Sequence, residues 1–329
     1  MAHNRVPSFF MLVPGPFHIA TQLIETLARA GIEARPRATG PLGAGEIAVE
    51  IIEDARLADG FSWGRQGRLP VEVVDRVGAL GRAALIEYGA RLDEHPKRVA
   101  ALGRALRDAG GVAVRMEASG AASVWEPWIE HLETGFASRV YASAVLLVGD
   151  KAGTFFTCGM HHFDLPDAEV TMSDAREATD WLDAFCVYQL AEQPGLASGH
   201  TFAPNATAQR RPFDRWPDHR HHPDDGRHNP FGLWRFRQPG AAGPAVGKLV
   251  PTIIPPLVSV LLAQERSKGT PLTRHEVEEI VTKSPAMMME PRHVLALERA
   301  RGYADIEPEL AWPQWQIVRR SLGPQSRAT

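Results

Sequence analysis

Cysteine is nearly absent: Cys158 and Cys186 are the only two in 329 residues, and neither belongs to a CxxC pair. A disulfide framework is therefore excluded, and a reducing, cytoplasmic setting is the expectation. An excess of either charge is missing too. Lys and Arg number 36 against 39 Asp and Glu, a formal net charge of −3, so no global positive field exists to hold a nucleic-acid backbone or an anionic membrane. Long apolar runs are also lacking. The most apolar stretch, 249–263, is broken by Pro251, Pro255 and Pro256 and falls short of the roughly 20 residues that span a bilayer. The apolar run before Pro14 is too short for the core of a secretory signal. Nucleotide-binding GxxxxGK[ST] and GxGxxG loops, the zincin HExxH and the nucleophile elbow GxSxG do not occur.

What is present is an ordinary globular composition, 44% hydrophobic and 23% charged, which argues against disordered and coiled-coil classes. The length predicts two domains, or one large domain with an extension. Residues 8–13 (SFFMLV), closed by Pro14-Gly15-Pro16, read as a buried first strand, and 18–30 as a helix stopped by Gly31. A strand follows at 47–52. The spacing of Val74, Val77, Leu80 and Leu85 predicts a helix over 71–89, and Val99, Leu102 and Leu106 predict another over 96–109. Next come a strand at 112–116, a short helix at 125–132, an apolar strand at 140–148, a hairpin into 154–158 and a strand at 168–172. Ser173 is the expected N-cap of a helix over 174–192, whose Trp181, Phe185 and Tyr188 share one face and read as core.

Composition changes at Gly199. Residues 199–247 are rich in Pro, Gly, Arg, Asp and His with little periodicity, the signature of a functional loop or arm. Beyond them Thr273 with Glu276 forms a capping-box pattern, Pro291 opens a helix through 301, and Pro313 one through 322. The expected architecture is α+β: a mixed or antiparallel sheet packed by helices over 1–198, an irregular His/Arg/aromatic arm over 199–247, and a helical C-terminal region over 248–329.

Three groups of residues bear on chemistry. His219, His221, His222, Asp224, Asp225 and His228 fall within ten residues, and imidazoles and carboxylates hold zinc or another divalent metal when three or four converge. A solvated loop whose histidines pair with neighbouring acids explains the same run more simply. The arm also interleaves Arg215, Trp216, Arg220, Phe231 and Trp234, a basic and aromatic surface suited to a partner, or aromatics that anchor the arm to the core. Finally, His161 and His162 precede Asp164 and Asp167, carboxylates able to orient an imidazole as a general base, though histidines in such a connection are more often structural hydrogen-bonding residues. Cys158 reads as a buried, inert thiol.

The run Gly159-Met160-His161-His162-Phe163-Asp164-Leu165-Pro166-Asp167-Ala168-Glu169-Val170 resembles the signature of a bacterial domain-of-unknown-function family, number 4261. In that signature Gly159, Phe163, Pro166, Asp167 and Glu169 match in order, while Asp164 stands where the family usually has glycine. The likeness spans about residues 80–205. It implies an α+β domain and no established catalytic residues. The functional expectation is a cytoplasmic, non-catalytic protein that binds another protein, in the manner of an adaptor or immunity protein, with no cofactor. The alternative is a metal-dependent hydrolase using His219, His221, His222 and His228, joined by His161 or His162.

Overall fold

The computed structural model describes residues 7–37, 42–238, 250–289, 294, 297, 298, 301, 303 and 305–321. The chain is an α+β protein with two mixed sheets. Strands β1 (Phe9–Pro14), β2 (Arg35–Pro36), β3 (Ile47–Glu53), β4 (Arg82–Tyr88), β5 (Val114–Met116) and β6 (Ala122–Ser123) form the first sheet in the order β2-β3-β4-β1-β5-β6. Its centre is antiparallel, with Leu12 opposite Leu85 and Val49 opposite Ile86, whereas β2 runs parallel to β3. Helices α1 (Ala20–Arg29), α2 (Leu57–Gly64), α3 (Val71–Leu80), α4 (Pro96–Asp108), α5 (Trp125–Thr134) and α6 (Ala137–Ala144) accompany it. Phe61, Leu57 and Val77 pack with Leu12 and Ala83 in one buried cluster.

Two expectations in this part of the chain are corrected. The helix expected over 71–89 stops at Leu80, because Gly81 turns left-handed (φ 59°) and its N–H returns to the Val77 carbonyl. The remaining residues form β4, the central strand. Strands buried on both faces carry near-continuous apolar side chains, and that run mimicked helical spacing. The strand expected over 140–148 is likewise divided, with 140–144 in α6 and only β7 (Leu146–Gly149) extended. Ser143 donates to the Val140 carbonyl inside that helix, and its own carbonyl accepts from the Trp128 indole.

The second sheet adds β8 (Thr154–Cys158), β9 (Asp167–Thr171), β10 (Thr201–Ala203), β11 (Arg211–Trp216), β12 (Leu233–Phe236), β13 (Val250–Ile253) and β14 (Ala286–Met289), in the order β13-β14-β10-β11-β12-β9-β8-β7. Among the described residues, segment 199–247, expected to be irregular, thus supplies three strands, and the region after 248, expected to be helical, supplies two; 239–249 lie outside the described residues. The helices here are α7 (Ala175–Glu192), α8 (Leu257–Lys268), α9 (Arg274–Lys283) and α10 (Ala311–Ser321). The cap of α7 is Asp174, whose carboxylate accepts from the Glu177 N–H, rather than Ser173. Thr273 and Glu276 form the expected capping box. Most of the helix expected from Pro291 lies outside the described residues.

By density of contacts the chain forms two units: residues 1–150, 156–167 and 216–233 make the first, and 151–155, 168–215 and 234–329 the second. The aromatic stripe of α7 is core in the second, where Phe185 meets Phe202, Phe213 and Phe236 at centroid distances of 5.1, 5.1 and 4.9 Å. Among the described residues no helix is long and apolar enough to cross a membrane.

Candidate active site

The unusual chemistry of the first unit gathers around the turn after β8. Gly159 takes φ 125°, and a Cβ there would lie 2.7 Å from the Ala144 carbonyl and 2.8 Å from Ser119 Cβ, so only glycine fits. From it a single 3-10 turn, Met160–Phe163, presents His161 and His162 side by side, with rings stacked at 5.2 Å. The His162 carbonyl accepts from the Leu92 N–H, and its ring meets Phe9 edge-on at 6.3 Å. Asp164 closes the turn in the left-handed region (φ 57°). Glycine or an Asx residue suits that backbone, and this accounts for the Asp.

Asp167 lies at the start of β9 and is 7% exposed. One carboxylate oxygen accepts from Thr157 Oγ1 at 3.0 Å and from the Met160 N–H at 3.2 Å, while the other accepts from Asn229 Nδ2 at 2.6 Å. Burial outweighs these bonds and pushes its pKa up to about 7. His161 Nδ1 stands 4.0 Å from the same carboxylate, beyond hydrogen-bond distance. The His161 side chain is 11% exposed and its ring nitrogens are buried, with the Gly226 backbone acting on the ring as a hydrogen-bond partner. Burial lowers its pKa to about 4, and burial also holds His162 well below the ordinary histidine value. Cys158 is buried, its Sγ 3.8 Å from the Ala118 carbonyl; burial first, then the Asp167 charge, raise its thiol well above the usual range.

Loop 217–230 supplies the rest. Asp218 accepts backbone N–H bonds from Arg220 and Asn229, both at 2.9 Å, and one oxygen stands 3.3 Å from His221 Nδ1 and 3.5 Å from His228 Nδ1. Burial works against ionisation of Asp218, but the hydrogen bonds prevail and hold its carboxyl below its ordinary pKa. Asp218, His221 and His228 all act electrostatically on His161. Arg227 pairs with Asp225 at 2.7 Å and lies over the half-exposed Trp63 ring at 5.8 Å. Hydrogen bonding from Arg227 is the largest influence holding the Asp225 carboxyl far below its ordinary value.

The histidine run therefore splits. His221 and His228 turn inward to Asp218, whereas His219 is exposed and the His222 side chain is 77% exposed beside Asp224. Among the described residues no group of three or more His, Cys, Asp or Glu is arranged to hold a metal ion. The four histidines of the metal-dependent alternative thus divide into an inward pair, His221 and His228, and an exposed pair, His219 and His222. The basic and aromatic set divides as well. Trp234 is 4% exposed, donates to Gln189 and carries the Arg215 guanidinium at 4.9 Å, all within the second unit, so it anchors the arm. In the first unit Arg220 covers the Phe156 ring at 3.9 Å, Phe231 is half-buried, and Trp216 is 44% exposed. Of the family-like residues, Gly159 and Asp167 build the site, buried Phe163 and Pro166 shape its turn, and Glu169 pairs with Arg235 at 2.7 Å in the second unit.

Sequence reasoning paired His161 with a carboxylate but overlooked Asp218 and Asn229. The signal that could have found them was the polar run 217–230, which contains no apolar side chain apart from its prolines. Comparison of the chain with family models, with curated proteins and with solved structures gives no match.

Proposed function

We propose that the protein is an enzyme of hydrolytic type that works by general acid–base catalysis at His161 and Asp167. The observation that carries this reading is the inverted proton affinity of two buried neighbours 4.0 Å apart, a carboxyl of pKa about 7 beside an imidazole of pKa about 4. Neighbouring groups pushed in opposite directions mark an acid and a base. Between those two values the imidazole is the base and the carboxyl is the acid. His161 takes a proton from an attacking water and Asp167 gives one to the leaving group. The imidazolium then returns its proton to the carboxylate 4.0 Å away. Asp218, His221 and His228 set the field around the base. Cys158 takes no covalent role, since its thiol is held protonated.

The test is hydrolysis of chromogenic acyl, phosphoryl and glycosyl substrates by the wild-type protein, His161→Ala and Asp167→Asn. Loss of about a hundredfold or more in both variants is expected. Wild-type rates no higher than those of His161→Ala for every substrate class would sink the reading. The two buried cysteines, joined in no disulfide, support a reducing, cytoplasmic setting. A second reading, a non-catalytic protein that docks another protein, is favoured by the exposure of Trp216 and Trp63, 44% and 50%. Partner capture that depends on Trp216 and is indifferent to His161 distinguishes it.

A further inference from the structure

Residues 217–230 have a composition that suits a moving part. The fourteen positions from Pro217 to Pro230 hold no hydrophobic side chain besides Pro217, Pro223 and Pro230, so the segment brings no apolar anchor of its own. Its ends meet: Gly232 has φ 70°, and a Cβ on it would lie 2.3 Å from the Trp216 carbonyl. That closure makes the segment an Ω-loop, able to swing without unzipping the strands beside it. Its inner face carries Asp218, His221, His228 and Asn229, while Pro217, His219, His222, Asp224 and Gly226 are exposed.

The attachments are polar. Asn229, 1% exposed, donates to Asp167 at 2.6 Å and to the Leu165 carbonyl at 3.0 Å, and accepts from the Phe231 N–H at 2.9 Å. Outside this latch, Arg220 rests on Phe156 and Arg227 on Trp63. In the closed arrangement His161 is about nine-tenths covered, with Asp218, His221, His228 and the Gly226 backbone of the loop all acting on its ring, and Cys158 is 1% exposed within electrostatic reach of Arg227, Asp218 and Asp225. A substrate reaches His161 only if this cover moves.

We infer that residues 217–230 are a lid over the His161–Asp167 pair, latched by Asn229, whose opening admits substrate. The inference rests on the acid–base reading for what the lid serves, but its test uses no substrate, so an inert centre and an immobile lid give different results. Cys158 is the reporter and Cys186, buried in the second unit, is the control. Asn229→Ala in the full chain is expected to raise the rate of Cys158 modification by 4,4′-dithiodipyridine about tenfold or more, with Cys186 unchanged. An unchanged Cys158 rate overturns the lid. A wild-type hydrogen-exchange measurement guards against a variant that merely unfolds. Lid amides, those of Asp225, His228 and Asn229, are expected to exchange at least about tenfold faster than amides of β1 and β4. Equal protection, meaning that the loop opens only with the whole fold, overturns the lid whatever the variant does.

Discussion

Asn229 donates from one side-chain amide to both the Asp167 carboxylate and the Leu165 carbonyl, at 2.6 and 3.0 Å, across more than sixty positions of sequence. Replacing it with Ala leaves a buried carboxylate one donor short. The expected loss is about 1–3 kcal/mol of stability, read from urea unfolding. The Asp167 pKa should rise further, because the Asn229 bond is one of those that lower it. Asn229→Asp sets a second carboxylate at this point and should be the more harmful change, while equal stability of Ala and Asp variants would contradict the role given to the amide.

The acid–base assignment fixes a pH profile. Catalysis needs His161 unprotonated, which holds above about 4, and Asp167 protonated, which holds below about 7. Activity should follow a bell with limbs at those values. A profile still climbing through pH 8 is the result that would reverse the roles or remove them.

The same groups shape stability. Asp167 has a folded pKa of about 7, above its ordinary 3.8, so its contribution is complete below about pH 4 and lost as pH rises toward 7. His161 is the mirror image: lowered from 6.5 to about 4, it adds stability as pH rises through that interval, and His162 acts in the same sense. Between pH 4.5 and 6.5, Asp167→Asn should therefore make stability climb more steeply with pH than in the wild type, and His161→Asn less steeply. Each difference approaches about 1.4 kcal/mol per pH unit. Parallel curves for the three proteins, from urea midpoints at several pH values, would refute the shifts.

Two glycines with positive φ should respond differently to alanine. Gly81 has φ 59°, and a methyl group added there would find no atom within 4 Å, so Gly81→Ala meets only backbone strain, about 1 kcal/mol. At Gly159 the methyl would collide with the Ala144 carbonyl and Ser119. Gly159→Ala should cost several times more and displace the His161–His162 turn, visible as shifted histidine resonances.

The cap of α7 supplies a local test. Asp174 accepts the Glu177 N–H at 2.8 Å, so Asp174→Ala should lose about 1 kcal/mol and Ser173→Ala next to nothing. Thermal melts of the two variants settle the choice between adjacent residues.

Much of the fold was legible because it depends on local chemistry. The first strand, α4, the β7–β8 pair, the core stripe of α7 and the Thr273–Glu276 box follow from periodicity and caps. Residues 82–88 were misread because a strand covered on both faces has no alternation to display, and 140–144 because Val and Tyr favour strands by propensity, while the bond from the Trp128 indole to the Ser143 carbonyl is a tertiary contact that no local pattern displays. The site was half visible. His161 and Asp167 stand six residues apart, within reach of pattern reading, whereas Asp218 and Asn229 come to them only through the pairing of distant strands. Sequence density at 219–228 suggested one cluster, but alternate exposure separates it into two faces.

The chain passes between the two units five times, in the six segments 1–150, 151–155, 156–167, 168–215, 216–233 and 234–329. The strands of the first sheet end at Ser123, whereas Asn229 donates to Asp167 from much further along the chain, so during synthesis the His161–Asp167 turn precedes the contact that completes it. A chain that ends between Asp167 and Asn229 keeps the Thr157 and Met160 donors to that carboxylate and lacks only the Asn229 amide, so truncation there leaves the strands of the first sheet whole and the site one hydrogen bond short.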